Sequence, residues 1–219
     1  SSTVKRVFAI VRAIINLSIQ EYGLNCKNAF ARTYIPDLED SIKRQPIPID
    51  IIRDIQKECM KIDDPNRWLI APISDTGMRL SEALGLKVSD IKLDEEIPYL
   101  NITPNSARRL KTKSSERQIP LVGSSLWAAK QIHLNVKGEF AFPHYTVQDY
   151  CYTNSASAAL NKWLKSKIHN NYVIHSFRHS MRDRLRATNC PSEMIDQIGG
   201  WSSNNVGIKY LSLIHISEP

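Results

Sequence analysis

The sequence predicts a mainly α-helical (α+β) fold with a small antiparallel β-sheet. Apolar residues recur at helical spacing over most of the 219-residue chain, and strand-like alternation replaces that spacing only in the middle. The length is enough for one sizeable core, or for one domain and part of another. The hydrophobic content of 42% and the charged content of 23% are ordinary for a globular protein.

The first predicted element is an amphipathic helix over residues 3–21. Its apolar residues fall on one face, and Gly23 suits a left-handed turn just after it. A helix with so apolar a face needs a packing partner, either in the same domain or in a separate helical domain. The following segment, residues 26–48, has several prolines, mixed charges and little periodicity, which predicts a linker.

Three helices are predicted between residues 49 and 86. The first covers residues 49–61, with isoleucines on one side and Asp50 near its start, where a carboxylate complements the helix dipole. The apolar run 68–74 predicts a buried helix. Residues 78–86 predict a third, short helix that ends near Gly85.

The middle of the chain predicts the sheet. Residues 99–103 and 117–121 alternate between apolar and polar positions, as strands with one buried face do. The intervening segment, residues 104–116, is basic and poor in apolar residues. It therefore predicts an exposed turn between two antiparallel strands.

The C-terminal part of the chain returns to helical periodicity. Four helices are predicted, at residues 126–134, 147–167, 176–187 and 192–198. Pro191 fits the first turn of the last of them. The tail, residues 211–219, has no clear helical stripe, and no function is predicted for it.

The charge of the chain indicates the kind of partner. The formal net charge is +7, and a clearly basic chain is typical of proteins that bind nucleic acid. Many basic proteins bind no polyanion, so the charge leaves both interpretations open. No apolar run approaches the roughly 20 residues that a membrane-spanning helix needs.

The cysteines do not predict a metal site or a disulfide. They are dispersed along the chain, without a C-x-x-C pair and without a cluster of histidines. The four residues are Cys26, Cys59, Cys151 and Cys190. This pattern favours a reduced, intracellular protein.

Six chemically active side chains follow one another along the chain. They are Arg79, Glu82, His175, Arg178, Trp201 and Tyr210. The first two pairs have i, i+3 spacing, which places both members on one side of a helix. Each pair is common by itself, and an R-x-x-E pair is often only a surface ion pair. In this order, however, the set resembles the active-site motifs of tyrosine recombinases of the phage-integrase type, over roughly residues 46–210.

The resemblance implies a domain organisation. In this family a helical core-binding domain, which clamps DNA, precedes the catalytic domain. Residues 1–25 would then be the last helix of a truncated core-binding domain, followed by the linker and by a catalytic domain at residues 49–210. Residues 211–219 would be a short tail that is either truncated or not native sequence. The alternative is that residues 3–21 form a plain packing helix of a single domain.

The resemblance also implies how DNA is cut without a metal, a cofactor or water. Arg79 and Arg178 hold the non-bridging oxygens of the phosphate, which suits the planar fork of a guanidinium. Glu82 orients Arg79. His175, at the start of a helix, accepts the proton of the nucleophile or hydrogen-bonds the phosphate, and the helix N-terminus favours the anion.

Three further residues complete the implied chemistry. Tyr210 is the nucleophile, which forms a 3′-phosphotyrosyl link and frees a 5′ hydroxyl. A hairpin lysine is the general acid in this family, and its Lys-Thr pattern favours Lys111 over Lys113. Trp201 stands where many relatives have histidine. Its indole N–H donates to a phosphate oxygen but cannot transfer a proton, and a role as a packing anchor is compatible with this.

The resemblance implies double-stranded DNA as the partner. Basic residues expected to contact it are Arg108, Arg109, Lys113, Arg117 and Arg182. The full-length protein would act as a homotetramer on DNA. It would be encoded by a bacterium or a phage and would act in the bacterial cytoplasm, on the nucleoid. An accessory DNA-bending factor is left open, and no membrane, metal or cofactor is expected.

Two other functions use the same residues. A type IB topoisomerase shares the arginine, lysine, histidine and tyrosine chemistry but relaxes supercoils without a specific site. A non-catalytic relative would bind DNA sites and cut nothing. The compact spacing and Trp201 favour a recombinase over a topoisomerase, and the retention of every candidate catalytic position argues against a non-catalytic protein.

Overall fold

The structure is a computed structural model, and it describes residues 2–36, 45–168 and 172–201. The chain divides into two compact units, Ser1–Lys43 and Arg44–Pro219. The predicted nucleophile, Tyr210, and the predicted tail at residues 211–219 lie outside the described residues.

The first unit is built around helix α1, Ser2–Glu21, which agrees with the helix predicted at residues 3–21. Arg12 donates hydrogen bonds to the carbonyl oxygens of Phe30 at 2.7 Å and Thr33 at 2.9 Å, so the segment after the helix folds back on it. A row of apolar side chains on α1 remains exposed: Val7, Ile10, Ile14 and Leu17. No helix of the described ranges, α1 included, is long and apolar enough to cross a membrane.

The second unit is mainly helical, as predicted. Its α-helices within the described residues are α2 (Ile49–Ile62), α3 (Pro65–Thr76), α4 (Leu80–Leu84), α5 (Gly123–Asn135), α6 (Thr153–Lys167), α7 (Ser176–Ala187) and α8 (Ser192–Gly199). Two short 3₁₀ turns, Val88–Asp90 and Lys113–Ser115, flank the sheet.

An antiparallel sheet of three strands, in the order β1-β2-β3, packs beside the helices. The strands are β1 (Ile91–Lys92), β2 (Tyr99–Ile102) and β3 (Arg117–Pro120). The register pairs Leu100 with Ile119, so both point to the core. The strands β2 and β3 agree with the prediction, whereas β1 was not predicted because two residues carry no periodicity.

Helix α3 lies at the centre of the core and packs against α2, α5 and α7. Asp64 precedes it and accepts a hydrogen bond from the backbone N–H of Arg67 at 2.9 Å, while Pro65 occupies the first turn. Asp75 near its other end accepts hydrogen bonds from the hydroxyl of Ser124 and from the backbone N–H of Ser125. The same carboxylate therefore joins α3 to the positive N-terminus of α5.

The predicted helix at residues 147–167 is wrong over its first six residues. Thr146–Val147 and Tyr150–Cys151 form β4 and β5, a tight hairpin, and α6 begins only at Thr153. Gln148 and Asp149 make the turn with φ values of 46° and 65°. Two-residue hairpins need such left-handed residues, and the absence of glycine from this turn removed the usual sequence signal.

The predicted exposed turn at residues 104–116 is correct at its tip and wrong at its base. Arg108 is 1% exposed, and its guanidinium donates to Asp90 at 2.9 Å and to the carbonyl oxygen of Thr103 at 2.7 Å. A Cβ at position 85 would lie 2.5 Å from the Cβ of Arg108, so only Gly85 permits this approach. The base of the hairpin is therefore locked onto the loop after α4, while Lys111 and Lys113 at the tip are exposed.

The buried pair at the base of the hairpin makes a prediction about stability. We expect Asp90→Asn to lower the free energy of unfolding by about 3–5 kcal/mol, because the guanidinium of Arg108 would remain buried without its counter-charge. Asp183→Asn is the matched control, since Asp183 pairs with Arg186 where both side chains are more than half exposed. Urea unfolding of both variants tests this, and equal effects would contradict the structural role of Arg108.

Candidate active site

The pair formed by Arg79 and Glu82 opens helix α4. Arg79 precedes the helix in an extended conformation, and its backbone N–H donates to Oε2 of Glu82 at 2.9 Å. Its Nη1 donates to Oε1 of the same carboxylate at 2.5 Å. The side chain of Arg79 is 23% exposed and that of Glu82 only 3%. The carboxylate therefore holds the guanidinium from its buried side and leaves its outer edge accessible.

Glu82 has a second cationic partner, Arg117. Nη2 of Arg117 donates to Oε2 of Glu82 at 3.0 Å, and the two side chains are 2% and 3% exposed. Burial opposes the charged form of Glu82, but Arg117, and after it Arg79, more than offset this and lower the pKa of Glu82 below its usual value. The carboxylate is therefore ionised at neutral pH between two guanidiniums.

Arg178, in the first turn of α7, lies on the buried side of the site. Its Nη1 donates to the carbonyl oxygen of Gly77 at 2.9 Å and its Nη2 to that of Gly199 at 2.5 Å. Burial, and after it the positive charge of Arg79, lowers the pKa of Arg178 to about 10. The side chain remains a cation at neutral pH. Because its Nη1 binds the carbonyl oxygen of Gly77, two residues before Arg79, the two arginines converge on the same part of the site.

Trp201 covers the guanidinium of Arg178. The Cζ atom of Arg178 is 4.3 Å from the centre of the indole ring, and that of Arg182 is 5.3 Å away. A Cβ at position 199 would lie 1.7 Å from the ring, so Gly199 provides the space for it. Trp201 therefore packs on Arg178, which agrees with its interpretation as a packing anchor. A contact between Trp201 and a phosphate stays a prediction.

His175 lies at the mouth of α7 and is exposed. Its ring stands edge-on to that of His179, with the ring centres 5.3 Å apart. The open pocket beside it is also lined by Met78 and Leu80, the two residues that flank Arg79 in the chain. The i, i+3 spacing of His175 and Arg178 thus places a titratable ring on the rim and a guanidinium beneath it.

Lys111 lies at the tip of the hairpin and lines an open pocket together with Arg79 and Glu82. Lys113 is exposed but does not line this pocket. The hydroxyl of Ser115 accepts a hydrogen bond from Nη1 of Arg79 at 3.2 Å, which attaches the hairpin to the arginine. This placement brings Lys111, and not Lys113, to the pocket beside Arg79, and the role of a general acid stays a prediction.

The basic residues predicted to contact DNA separate into two groups. Arg109 and Lys113 are exposed, and Arg182 is partly exposed and has a buried Nε without a hydrogen-bond partner in the described structure. Arg108 and Arg117 are buried in ion pairs with carboxylates. A guanidinium enclosed in this way has no surface to offer DNA in this conformation, and the geometry gives both residues internal roles.

The sequence pattern of strand β3 could have predicted that Arg117 is buried. Strand β3 alternates between buried and exposed residues, and Arg117 is in phase with the buried Ile119. An arginine on the inward face of a strand needs a buried acceptor. Ser115 and Arg184 were also missed; Arg184 donates to the carbonyl oxygens of residues 74 and 75, and burial lowers its pKa.

The described residues offer no group of three or more histidine, cysteine, aspartate or glutamate side chains that could hold a metal ion. The four cysteines are free. Burial raises the pKa of the Cys59 thiol to about 12, so this side chain behaves as an apolar core residue.

Comparison with known proteins identifies a family. The model described as the phage integrase family matches residues 49–214. Among solved structures, the Tn1549 transposon integrase in complex with a circular intermediate DNA is similar, with a TM-score of 0.65 and 16% identity over 97% of this chain and 78% of that one. No curated protein sequence matches the chain.

Two further structures share the fold. XerA recombinase has a TM-score of 0.58 and 16% identity, over 90% of this chain and 65% of that one. A lambda integrase tetramer bound to a Holliday junction has a TM-score of 0.64 and 14% identity, over 93% of this chain and 57% of that one. At such identities the likeness shows the fold, and it confirms the predicted helical fold with a small antiparallel sheet.

The shared carboxylate predicts a response to acid. A lowered pKa in the folded state means that Glu82 contributes stability above the unfolded pKa of about 4.3, and that this contribution is lost as the pH falls through the folded pKa. We expect Glu82→Gln to be less stable than the parent at pH 7 and to lose less stability between pH values of about 5 and 3.

Urea unfolding at a series of pH values measures this difference. Glu116→Gln is the control, because Glu116 is an exposed neighbour of Arg117 and its substitution should leave the pH profile unchanged. If the Glu82→Gln variant loses as much stability as the parent when the pH falls, the carboxylate is not held by the two arginines.

Proposed function

The chain belongs to the phage integrase family, as its motifs predicted, and we propose that it is a site-specific DNA recombinase with Tyr210 as its nucleophile. The observation that carries the proposal is the convergence of Arg79 and Arg178. Like charges held together are unfavourable by themselves, and a bound anion relieves their repulsion. A phosphate diester bound by the open edge of Arg79 would relieve this repulsion. Arg178 is buried and its Nη1 and Nη2 bind backbone carbonyls, so it would stabilise the phosphate through its charge.

The donors of Arg79 support this arrangement. Its Nη1 is occupied by Glu82 and Ser115, whereas Nε and Nη2 have no hydrogen-bond partner among the described residues. These two atoms form the outer edge of the planar fork, which matches two oxygens of a phosphate. Arg178 supplies the second positive charge from below, beside the N-terminus of α7.

The proposed reaction is an in-line transfer of a phosphoryl group. The phenolic oxygen of Tyr210 attacks phosphorus, and the bond from phosphorus to the 5′ oxygen breaks. His175 takes the phenolic proton, and Lys111 gives a proton to the leaving 5′ oxygen. The product is a 3′-phosphotyrosyl link with a free 5′ hydroxyl, and reversal of the same steps rejoins DNA without ATP because the ester is conserved.

The proposed partner is double-stranded DNA, held by a homotetramer of the protein. Exchange between two duplexes involves four strands, so four copies are needed to cut each strand once. The solved lambda integrase is a tetramer bound to a Holliday junction, which supports this assembly. We also propose that α1 belongs to a helical domain that clamps DNA and precedes the catalytic domain, in agreement with its exposed apolar row.

The nucleophile is tested by covalent capture. We expect the parent protein to form a DNA adduct that survives boiling in detergent, and Tyr210→Phe to form none, because a phenyl ring lacks the attacking oxygen. A nicked duplex that loses its 5′-hydroxyl fragment on cleavage traps the adduct, and a pool of random sequence removes the need for a known site. Undiminished adduct from the Tyr210→Phe protein would exclude this nucleophile.

The same capture separates the alternatives. Recovered sequences that converge on one site indicate a recombinase, whereas adduct on unrelated sequences, together with relaxation of supercoils, indicates topoisomerase-like activity. Binding without adduct from the parent protein indicates a non-catalytic relative.

The general acid is tested with a pair of hairpin variants. We expect Lys111→Ala to slow cleavage by about 10²–10⁴-fold, because the 5′ oxygen would leave as an unprotonated alkoxide. A substrate with sulfur in place of that bridging oxygen should restore the rate, since a thiolate leaves without a proton. Lys113→Ala is the matched control and should show neither effect, and the reverse result would assign the acid to Lys113.

A further inference from the structure

Arg117 lies where three parts of the site meet. Its guanidinium donates to Oε2 of Glu82 at 3.0 Å, to the carbonyl oxygen of Ser115 at 2.7 Å and to that of Ile198 at 2.8 Å. The side chain is only 2% exposed. A phosphate cannot reach this guanidinium in the conformation described, so any effect of Arg117 on the reaction passes through its neighbours.

On one side, Arg117 acts on Arg79 through the shared carboxylate. Oε1 of Glu82 accepts from Nη1 of Arg79 at 2.5 Å, and Oε2 accepts from Arg117. Because each oxygen is committed to a different cation, rotation of the carboxylate breaks one of the two contacts. Oε2 also accepts from the backbone N–H of Arg79 at 2.9 Å, so Arg117 and this N–H together fix the plane of the carboxylate and, through it, the orientation of the Arg79 fork.

On the other side, Arg117 holds the C-terminal end of α8. The carbonyl oxygen of Ile198 belongs to the last turn, where acceptors lack partners within the helix and a cation is favourable. Gly200 follows with a left-handed φ of 61°. A Cβ at that position would lie 2.8 Å from Nη1 of Arg117, so the glycine allows the backbone to pack directly against the guanidinium.

The next carbonyl oxygen along the chain, that of Gly199, is bound by Arg178. Nη2 of Arg178 binds the carbonyl oxygen of Gly199 at 2.5 Å, and Trp201 stacks on the same guanidinium. Two consecutive carbonyls at the end of α8 are thus bound by two different buried guanidiniums. Tyr210 is nine residues further along the chain than Trp201.

We propose that Arg117 is a positioning residue that couples the Arg79 phosphate clamp to the end of α8, from which the chain continues to Tyr210. The clamp and the start of the nucleophile-bearing segment are thereby aligned by one side chain. The catalytic consequence rests on the proposed function, whereas the coupling is a property of the fold and is measured without DNA.

Hydrogen exchange tests the coupling directly. The backbone N–H groups of Gly200 and Trp201 bind carbonyl oxygens of the preceding turn, so their exchange reports on the end of α8. We expect Arg117→Lys to raise their exchange rates by about tenfold or more, because an ammonium keeps the charge but cannot span three acceptors. We expect Glu82→Gln to do the same, although Glu82 has no hydrogen bond or ion pair with a described residue of α8.

The matched control is Arg108→Lys. Arg108 lies on the same hairpin as Arg117, and it is also buried and paired with a carboxylate, that of Asp90. Its other hydrogen bonds go to backbone carbonyls, that of Glu82 at 3.5 Å among them, and none goes to a described residue of α8. Its substitution should leave the exchange of Gly200 and Trp201 unchanged. The coupling is overturned by unchanged exchange in Glu82→Gln or Arg117→Lys, and equally by a similar rise in Arg108→Lys.

A second variant disturbs Arg117 without removing any charge. Gly200→Ala places a methyl group against the guanidinium and should raise the exchange of residues 79–86, on the far side of Arg117. Should Arg117→Lys fail to fold, this variant decides the question, since unchanged exchange at residues 79–86 in a folded Gly200→Ala protein overturns the coupling.

The catalytic consequence is measured by single-turnover cleavage of a site recovered in the capture experiment. We expect Arg117→Lys to lower the rate constant about 10- to 100-fold while DNA affinity changes by less than about threefold, because a displaced clamp misplaces the phosphate. A substrate with a methyl group in place of one non-bridging oxygen needs less positive charge and should reduce the defect. A merely structural role would lower the reactive fraction equally on both substrates.

The outcomes distinguish this inference from the proposed function. A parent protein that forms no adduct overturns the proposed function and leaves the exchange experiment to decide the coupling. A parent that cleaves, together with Arg117→Lys cleaving at the parental rate, overturns the positioning role of Arg117 alone.

Discussion

The buried carboxylate of Glu82 is the interaction on which the site depends. An ionised carboxylate in the core is very unfavourable unless it is paired and hydrogen-bonded. Here Arg79 and Arg117 supply charge-assisted hydrogen bonds from two directions, and the backbone N–H of Arg79 supplies a third. Three segments that are distant in sequence, α4, β3 and the end of α8, are brought together because each provides or receives a partner in this network.

The hairpin β2–β3 combines a rigid base with an accessible tip. Arg108, which is buried against Asp90, attaches the base to the loop after α4, and Ser115 attaches the returning strand to Arg79. Between them, Lys111 extends into the pocket beside Arg79. The fold thereby places an exposed cationic side chain close to one that is held by hydrogen bonds.

Glycine determines how closely the backbone approaches the arginines. At position 199 a Cβ would overlap the indole of Trp201, and at position 200 it would press on the guanidinium of Arg117. The end of α8 is therefore built from two residues without side chains, so that carbonyl oxygens, a guanidinium and an aromatic ring fill the same small volume. The glycine pair thus follows from packing of the site and not only from the need to end a helix.

The features that the sequence predicted correctly depend on short-range order. Helices α1, α2 and α7 follow from apolar periodicity, and the Arg79–Glu82 and His175–Arg178 pairs from i, i+3 spacing. The hairpin of β4 and β5 was missed because its left-handed residues, Gln148 and Asp149, are not glycine or asparagine.

The sequence by itself therefore determined the family and most of the helices, and it predicted a set of reactive side chains. The tertiary structure decided which cations face solvent and which are internal. Arg108 and Arg117 were predicted to contact DNA, yet both are buried, and Arg117 binds Ile198 at a separation of 81 residues. Arg178 binds Gly77 at a separation of 101 residues. The free energy of burying a guanidinium depends on the carbonyl and carboxylate groups that the fold assembles around it. Composition and local spacing therefore cannot predict which arginines are buried, because these acceptors are distant in the sequence.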